Sequence, residues 1–315
     1  MRKALTLTTA VAAASLLLSA CGSDSAKTSS SSGAAQASGT IASKLIFGGP
    51  AEMKSRPDGP AGWAKNYGVT FQSFKVTDTG GPVTVTSLKN GQIDAADLFT
   101  TDPAIKANNF VVLTDPKSNF GAQNVVPLVN KKKATPGVQQ VLDAISAKIT
   151  TDVLINLRTQ VEVNKMDPDK AAQQFLASLS LPTTTPAKGV TLTVGSANFP
   201  ENVVLADIYA DALQGAGATV SKKLNIGSRE KYIPGLKDGS IDLIPEYSGV
   251  LLQYFDKGAS ATSPDATYAA LQKAVPATLT VTKQASAEDR DAIVVTSATA
   301  KKYGLTSIAD LAKKA

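Results

Sequence analysis

The sequence predicts an α/β protein with two lobes, and a duplicated segment is the first reason. Residues 88–99 and 236–247 both begin Leu-Lys, continue through Asn-Gly or Asp-Gly to Ile-Asp, and end in an aromatic residue. The aromatic residue lies eleven positions after the leucine in each copy (99 minus 88, 247 minus 236). Asn-Gly and Asp-Gly are ordinary turn signals when they stand alone, but the matched spacing indicates two units of one design.

The similarity extends upstream, which is the second reason. Residues 45–50 and 192–197 each have the pattern of an apolar strand that stops at small residues. From strand start to final aromatic residue the units span 54 positions (99 minus 45) and 55 positions (247 minus 192). Two copies separated by unrelated sequence favour two lobes over a solenoid. Because ligands of open α/β sheets bind beyond the carboxyl ends of the strands, we expect a ligand cleft between the lobes.

The amino-terminal residues predict export and a lipid anchor. Residues 1–20 have the charged start and the short apolar segment of a secretory signal. Residues 18–22 resemble the lipobox of bacterial lipoproteins, in which the cysteine, here Cys21, is lipidated; a simple cleavage site with an incidental cysteine is the alternative. Residues 21–43 are mostly small and polar, so we expect a flexible linker. The predicted location is the outer side of the cytoplasmic membrane, at the cell surface or in the periplasm.

Composition excludes several classes of site. Histidine is absent and Cys21 is the only cysteine, which rules out Ser-His-Asp triads, zinc–imidazole sites, thiolate clusters and disulfides. Removing the signal lowers the net charge from +6 to +4 (30 basic minus 26 acidic residues), and no basic stripe with interleaved aromatic residues is present. Nucleic acid is therefore not an expected partner. We expect no cofactor, no metal and a monomer.

The first lobe begins with the strand at residues 45–50. Residues 52–60 are rich in Pro and Gly and are predicted to form a loop. Arg56 in this loop is either a surface charge or an anion clamp, since a guanidinium fork suits a carboxylate. Residues 111–113 and 125–129 are apolar runs that predict a strand and a crossover strand.

Three helices and a connector follow the crossover strand. The helices are predicted to begin at Thr135-Pro136, Thr151-Asp152 and Asp167-Pro168. Apolar residues at helical spacing indicate that all three are packing elements. Residues 182–188 contain two prolines in a threonine-rich run and predict an extended connector on the surface.

The second unit begins directly after this connector. Its strand from residue 192 leads into a helix after Asn198-Phe199-Pro200-Glu201, and residues 251–255 continue as helix core. Ser263-Pro264 predicts the start of another helix. Residues 279–281 and 292–295 are predicted strands, and residues 307–312 a short last helix.

Several motifs resemble the glycine betaine/osmoprotectant-binding proteins of ABC importers. They are the segments 195–201, 227–230 and 244–249 in the second half, and Arg-Pro-Asp-Gly at 56–59 and Phe-Thr-Thr-Asp at 99–102 in the first. In that family the Pro-Glu-Tyr half comes first, so this chain resembles a circular permutation of it. The resemblance implies a type II periplasmic-binding-protein-like fold, in which two α/β lobes close on a ligand by a hinge.

The permuted order defines the expected boundaries. Residues 44–124 and 292–315 would form lobe A, and residues 125–291 would form lobe B. Residues 41–44 would then lie beside Ala315, because the family's unbroken chain passes directly from one to the other. The hinge would consist of the two crossings near residues 123–124 and 291–292.

The resemblance also implies site residues. In the family, tyrosine faces hold a quaternary ammonium by cation–π attraction and basic groups hold a carboxylate. Tyr247 and Phe99 match two aromatic positions, Arg56 the carboxylate-binding arginine and Asp289 an aspartate of the crossing segment. We also assign to the site Gly49, in the turn that ends the first strand, and Thr101, Ser196 and Asn198, which lie in the segments that carry the resemblance.

Departures from the family pattern leave the ligand open. Ala197 replaces a lysine, Asp291 replaces a tyrosine, and Gly121-Ala122-Gln123 replaces Pro-Pro-Tyr. The sequence thus predicts a lipoprotein that delivers a small osmolyte, with a quaternary ammonium compound such as glycine betaine as first candidate, to an ABC permease. Because Asp291 and Gln123 offer polar contacts in place of rings, another cationic or zwitterionic solute is the alternative. The other alternative is an exported glycan hydrolase that uses the cluster of Glu288, Asp289 and Asp291; we expect a binding protein and not an enzyme.

Overall fold

Two five-stranded mixed sheets form the framework of the computed structural model, which describes residues 39–179, 184–259 and 263–315. The first sheet has the order β2-β1-β3-β10-β4 and the second the order β7-β6-β8-β5-β9. The strands are β1 (Ile46–Gly49), β2 (Ser73–Val76), β3 (Ala95–Phe99), β4 (Val111–Val112), β5 (Val125–Asn130), β6 (Thr191–Gly195), β7 (Thr219–Lys223), β8 (Leu243–Tyr247), β9 (Leu279–Val281) and β10 (Asp291–Val295). All described residues belong to one compact unit.

The two sheets repeat one topology. In the first sheet β1 lies parallel to β2 and β3, and β10 runs antiparallel to β3 and β4. In the second sheet β6 lies parallel to β7 and β8, and β5 runs antiparallel to β8 and β9. The prediction of an α/β fold with two similar units is therefore confirmed.

The duplicated turn has a specific structural role in each sheet. Gly91 and Gly239 have φ values of 68° and 84°, in the left-handed region that glycine occupies without steric cost. Three residues later, Asp94 accepts a hydrogen bond from the Ile46 backbone N–H at 2.8 Å, and Asp242 accepts one from the N–H of Thr193 at 2.9 Å. The repeated glycine and aspartate thus end a helix and fix the next strand against the first strand of its unit.

Helices cover the faces of both sheets, and seven of them begin with proline at the first position, where its missing N–H breaks no hydrogen bond. The α-helices of the described residues, including those that do not begin with proline, are α1 (Pro60–Tyr67), α2 (Pro82–Lys89), α3 (Pro103–Ala107), α4 (Pro136–Ser146), α5 (Thr151–Arg158), α6 (Pro168–Ala177), α7 (Pro200–Gly215), α8 (Arg229–Asp238), α9 (Ser248–Phe255), α10 (Pro264–Ala274) and α11 (Ser297–Tyr303).

Each sheet has apolar cores on both faces. On the first sheet one core surrounds Phe47 and Trp63 and the other surrounds Leu88 and Ile93. On the second sheet, α4 to α7 cover one face and α8 to α10 cover the other. The long helix α7 is buried along most of its length, since it lies between β6 and the three helices before it in the sequence. These cores hold the ends of β1, β3, β6 and β8 in fixed positions.

Two chain segments cross between the sheets and pair with each other. Asn124 and Glu288 form an antiparallel bridge, and the N–H of Asp289 donates to the carbonyl of Gln123 at 3.1 Å. One crossing leads into β5 and the other into β10. The first sheet is thus built from residues before 124 together with β10, a membership that supports the proposed lobes.

The first and last described residues lie side by side. The N–H of Ile41 donates to the carbonyl of Lys313 at 2.9 Å, and the N–H of Ala315 donates to the carbonyl of Gly39 at 3.0 Å. This is the adjacency that a permuted chain requires. The permutation itself stays a proposal.

A few local expectations differ from the structure. Residues Ala51–Ser55, expected as loop, form a 3-10 helix, and Ile308–Ala312 is also 3-10 instead of α-helical. Helix α5 begins at Thr151, as predicted, and is capped by Thr150, whose side chain accepts a hydrogen bond from the N–H of Val153. The predicted signal, Cys21, most of the linker and residues 182–183 of the connector lie outside the described residues. None of the helices described has the length and apolar character needed to cross a membrane.

We predict that the protein still folds when its two halves are placed in the opposite order along the chain. A variant that joins Ala315 to Gly39 through a short Gly-Ser linker and opens between Thr184 and Thr185, both exposed, should unfold cooperatively within a few degrees of the parent. Thermal unfolding followed by circular dichroism measures this. A control opened inside β6, between Val194 and Gly195, should not fold; if both variants fail, the junction does not tolerate a covalent link.

Candidate functional site

A cavity of about 640 Å³ lies between the two sheets, where β1, β3, β6 and β8 end. Its volume is in the range of small-molecule pockets. The first sheet contributes the loop around Arg56 and the ring of Phe99, and the second contributes residues that follow β6 and β8. The cleft expected from the duplicated units is therefore present.

Most of the residues assigned from the sequence line this cavity. They are Arg56, Phe99, Gln123, Asn198, Tyr247, Asp289 and Asp291.

Gly49 and Ser196, also assigned to the site, lie behind its wall. A Cβ at Gly49 would come within 3.2 Å of the Cβ of Asp97, so side chains already cover this strand end. The Ser196 hydroxyl is buried, where it donates to the carbonyl of Ala197 at 2.9 Å and accepts from the N–H of Asn225 at 2.8 Å. Both residues shape the turns and present no free group to the cavity.

Three aromatic rings form one wall of the cavity. The ring centroids of Phe99 and Phe199 are 5.3 Å apart, and those of Phe199 and Tyr247 are 6.0 Å apart. Phe99 and Tyr247 end the equivalent strands β3 and β8, as the duplicated segment predicted. Phe199, the residue before α7, lies in the segment 195–201 that carries the family resemblance, but it was not assigned to the site from the sequence.

Arg56 lines the cavity but is already paired with carboxylates. Its Nε and Nη2 donate to Asp58 at 2.9 and 2.6 Å, and Nη2 also contacts Asp291. Burial alone would lower the pKa of Arg56, but Asp291 and Asp58 raise it above its ordinary value. Burial, followed by the charge of Asp291, raises the pKa of the neighbouring Asp97. The positive charge that was expected to hold a ligand carboxylate is thus balanced within the protein.

A second arginine, Arg229, faces the cavity from the other sheet. It forms two parallel hydrogen bonds with Glu246, at 2.8 and 2.9 Å, and Glu246 also accepts from the Tyr232 hydroxyl at 2.7 Å. Sequence reasoning named the segment that contains Arg229 but not the residue. Its bidentate pairing leaves this charge balanced as well.

Asp289 contributes a buried carboxylate from the crossing segment. Its Oδ1 accepts hydrogen bonds from the N–H and the hydroxyl of Thr101, at 3.0 and 2.7 Å, so Thr101 acts behind Asp289 and not on the cavity wall. Its Oδ2 is buried and has no hydrogen-bond partner among the described residues. Burial and then the charge of Glu201 raise the pKa of Asp289.

Arg158 ties these elements together, although nothing in the sequence singled it out. It is 1% exposed and donates to Asp102 at 3.0 Å, to the Thr101 hydroxyl at 3.0 Å and to Glu162 at 2.6 Å. Its guanidinium carbon lies 5.7 Å from the centroid of the Phe99 ring. Because Arg158 ends α5 on the second sheet and Asp102 follows β3 on the first, this pair joins the two sheets beside the cavity.

The arrangement favours a positively charged ligand. Ring faces attract cations, two carboxylates share the one guanidinium of Arg56, and Oδ2 of Asp289 has no hydrogen-bond partner among the described residues. In the part of the chain that the structure describes, no group of three or more His, Cys, Asp or Glu residues is placed to hold a metal ion.

We predict that Arg56 supports stability as well as binding. Replacing it, as Arg56→Met, leaves Asp58 and Asp291 buried without their cation and should lower the free energy of unfolding by about 3 kcal/mol. Urea denaturation at neutral pH measures the change. Arg290→Met, which removes a half-exposed ion pair with Glu288, should cost less than about 1 kcal/mol; equal losses would show that the buried carboxylates do not depend on Arg56.

Comparison with known proteins identifies the family. The family model described as the substrate binding domain of ABC-type glycine betaine transport systems matches residues 26–178 and 190–315. Similar curated proteins include an ergothioneine transport permease/ergothioneine binding protein of Helicobacter pylori, 31% identical over 137 residues, which are 43% of this chain and 24% of that protein. A glycine-betaine-binding protein of Pseudomonas aeruginosa is 28% identical over 133 residues, 42% of this chain and 43% of its own length.

A carnitine transport binding protein of Listeria monocytogenes is 27% identical over 126 residues, 39% of this chain and 40% of its own length. The alignments thus span less than half the length of these relatives.

Among solved structures, a phosphate-binding protein of a Streptococcus pneumoniae ABC transporter is 12% identical, with a TM-score of 0.43, over 85% of this chain and 94% of that one. Because the family model covers most of its length, the chain belongs to the substrate-binding domains of ABC-type glycine betaine transport systems.

Proposed function

We propose that this protein captures a small cationic or zwitterionic solute in the cavity between its sheets and delivers it to the membrane permease of an ABC importer. The observation that carries the proposal is the wall of Phe99, Phe199 and Tyr247 beside buried carboxylates. A methylated ammonium lies well against such rings, each of which contributes about 0.5 to 2 kcal/mol when water is excluded. Quaternary ammonium compounds are therefore the first candidates.

The names of the relatives support the same class of solute. Glycine betaine, carnitine and ergothioneine are the solutes in those names. The two crossing segments near Gln123 and Asp289 would serve as the hinge about which the sheets close on the solute.

Binding accounts for the carboxylates better than glycan hydrolysis does. Glu288, one member of the acidic cluster at residues 288–291, pairs with Arg290 and is not part of the cavity wall. Asp291 forms an ion pair with Arg56, so it is not a free carboxylate for acid–base chemistry. These placements support a binding protein without catalytic activity.

We further propose that the protein is exported and acts as a monomer, held at the outer side of the cytoplasmic membrane by lipid on Cys21. The charged and apolar residues before Cys21 and the small polar residues after it support this location.

The first test of the proposal is a direct measurement of binding. Isothermal titration calorimetry of the mature chain with glycine betaine, proline betaine, choline and a set of amino acids should give heat with at least one methylated ammonium compound. The absence of binding to every methylated or cationic amine in the panel would remove this ligand class.

A second test concerns the aromatic wall. Tyr247→Leu removes a ring face and should weaken the binding of a quaternary ammonium by roughly 2- to 30-fold. Tyr247→Phe is the matched control, because it keeps the ring and loses only the hydrogen bond from the hydroxyl to Glu201. If both variants weaken binding equally, the hydroxyl and not the ring face is what the solute requires.

A further inference from the structure

One carboxylate that lines the cavity has an oxygen that receives no hydrogen bond in the part of the chain that the structure describes. Asp289 is 2% exposed and lines the cavity, and Thr101 uses two donors to hold its Oδ1. Its Oδ2 is buried and receives no hydrogen bond from the described residues. A buried acceptor without a donor is unfavourable, so a bound ligand is the natural source of that donor.

The nearest cations do not serve this oxygen. Arg158 donates hydrogen bonds to Asp102, Glu162 and the Thr101 hydroxyl. Its Nη1 also lies 3.9 Å from Oε2 of Glu201. Arg56 donates to Asp58 and Asp291.

Asp291 places a second carboxylate beside a ring of the aromatic wall. It follows Asp289 by two residues, also lines the cavity, and pairs directly with Phe99 across β10 and β3. Side chains at directly opposed positions of two strands are in contact range. A cation on the Phe99 ring therefore lies close to carboxylates as well.

We propose that the solute presents an N–H donor on a positively charged group to Oδ2 of Asp289, with Asp291 as the neighbouring acceptor. The inference rests on the proposed function, since it places the solute in the same cavity. A quaternary ammonium has no N–H to donate. The aromatic rings attract any ammonium, so only an acceptor such as Asp289 would favour an ammonium that still has an N–H. The donor is either the methylated ammonium itself, when methylation is incomplete, or a second cationic group of a larger solute, for which a cavity of about 640 Å³ has room.

Two ligand comparisons separate these sources. The first is calorimetry with glycine, N-methylglycine, N,N-dimethylglycine and glycine betaine, in which the last step removes the final N–H. The second compares Nε-trimethyllysine with 6-(trimethylammonio)hexanoate, which lacks only the α-ammonium. We expect loss of the N–H to weaken binding at least about tenfold in one of the two comparisons, because hydrogen bonds to charged groups are the stronger ones.

Variants then assign the effect to Asp289. Asp289→Asn keeps an oxygen for the Thr101 donors and places an amide in the other position, so it should abolish the preference for the N–H ligand. Glu288→Gln, which weakens the half-exposed ion pair with Arg290 outside the cavity wall, should preserve this preference.

The outcomes distinguish this inference from the function on which it rests. If glycine betaine and 6-(trimethylammonio)hexanoate bind as tightly as their N–H counterparts, or if the preference persists in Asp289→Asn, the inference is wrong and the proposed function stands. If no compound binds, both are wrong. The ligand comparison uses the unchanged protein and can disprove the inference without any variant. The inference therefore stays testable even if Asp289→Asn fails to fold.

Discussion

The burial of Arg158 between the two sheets is the interaction on which the site depends most. A guanidinium that is 1% exposed must have acceptors around it, because an unpaired charge in the interior is very costly. Asp102, Glu162 and the Thr101 hydroxyl provide them. Since these groups come from both sheets, the need to neutralise one charge fixes the position of the loop after β3 against α5.

That constraint extends to the cavity wall through direct contacts. The Thr101 hydroxyl accepts a hydrogen bond from Arg158, donates to Asp289 and lies 3.0 Å from Glu201, which accepts from the Tyr247 hydroxyl. The Arg158 guanidinium also lies against the Phe99 ring. Rotation of one sheet relative to the other would separate Arg158 from Asp102 and would shift these groups together. Closure of the cleft and assembly of its binding groups are therefore physically linked.

The sequence predicted the framework well because the framework has local signals. Gly91 and Gly239 mark turns that need a left-handed residue, and the aspartates three positions later hold the neighbouring strands. The ends of the equivalent strands, Phe99 and Tyr247, reach the cavity for the same reason. Prolines and capping residues located the starts of α4, α5, α6 and α10 to within one residue.

The charge pairing was not predictable in this way. Arg158 and Asp102 are separated by 56 positions (158 minus 102), and nothing in either segment indicates that the two meet. Arg56 had the right chemistry for a ligand carboxylate, but only the fold shows that Asp291, 235 positions away, already shares its guanidinium. Phe199 likewise resembled an ordinary residue before a helix. Periodicity and turns determine which elements form, whereas the partners of buried charges depend on the tertiary arrangement.

The order of the two halves along the chain has little influence on the site, for a geometric reason. Residues 39–41 lie beside residues 313–315, next to the first sheet, and backbone hydrogen bonds join the two segments. The residues proposed to bind the solute instead line the cavity where the crossing segments pair, at Gln123 and Asp289, and at the ends of β3 and β8. A covalent link can therefore be moved from one surface position to another while the contacts that form the cavity stay the same. A site built from long-range contacts between two sheets is determined by their packing and not by which sheet comes first.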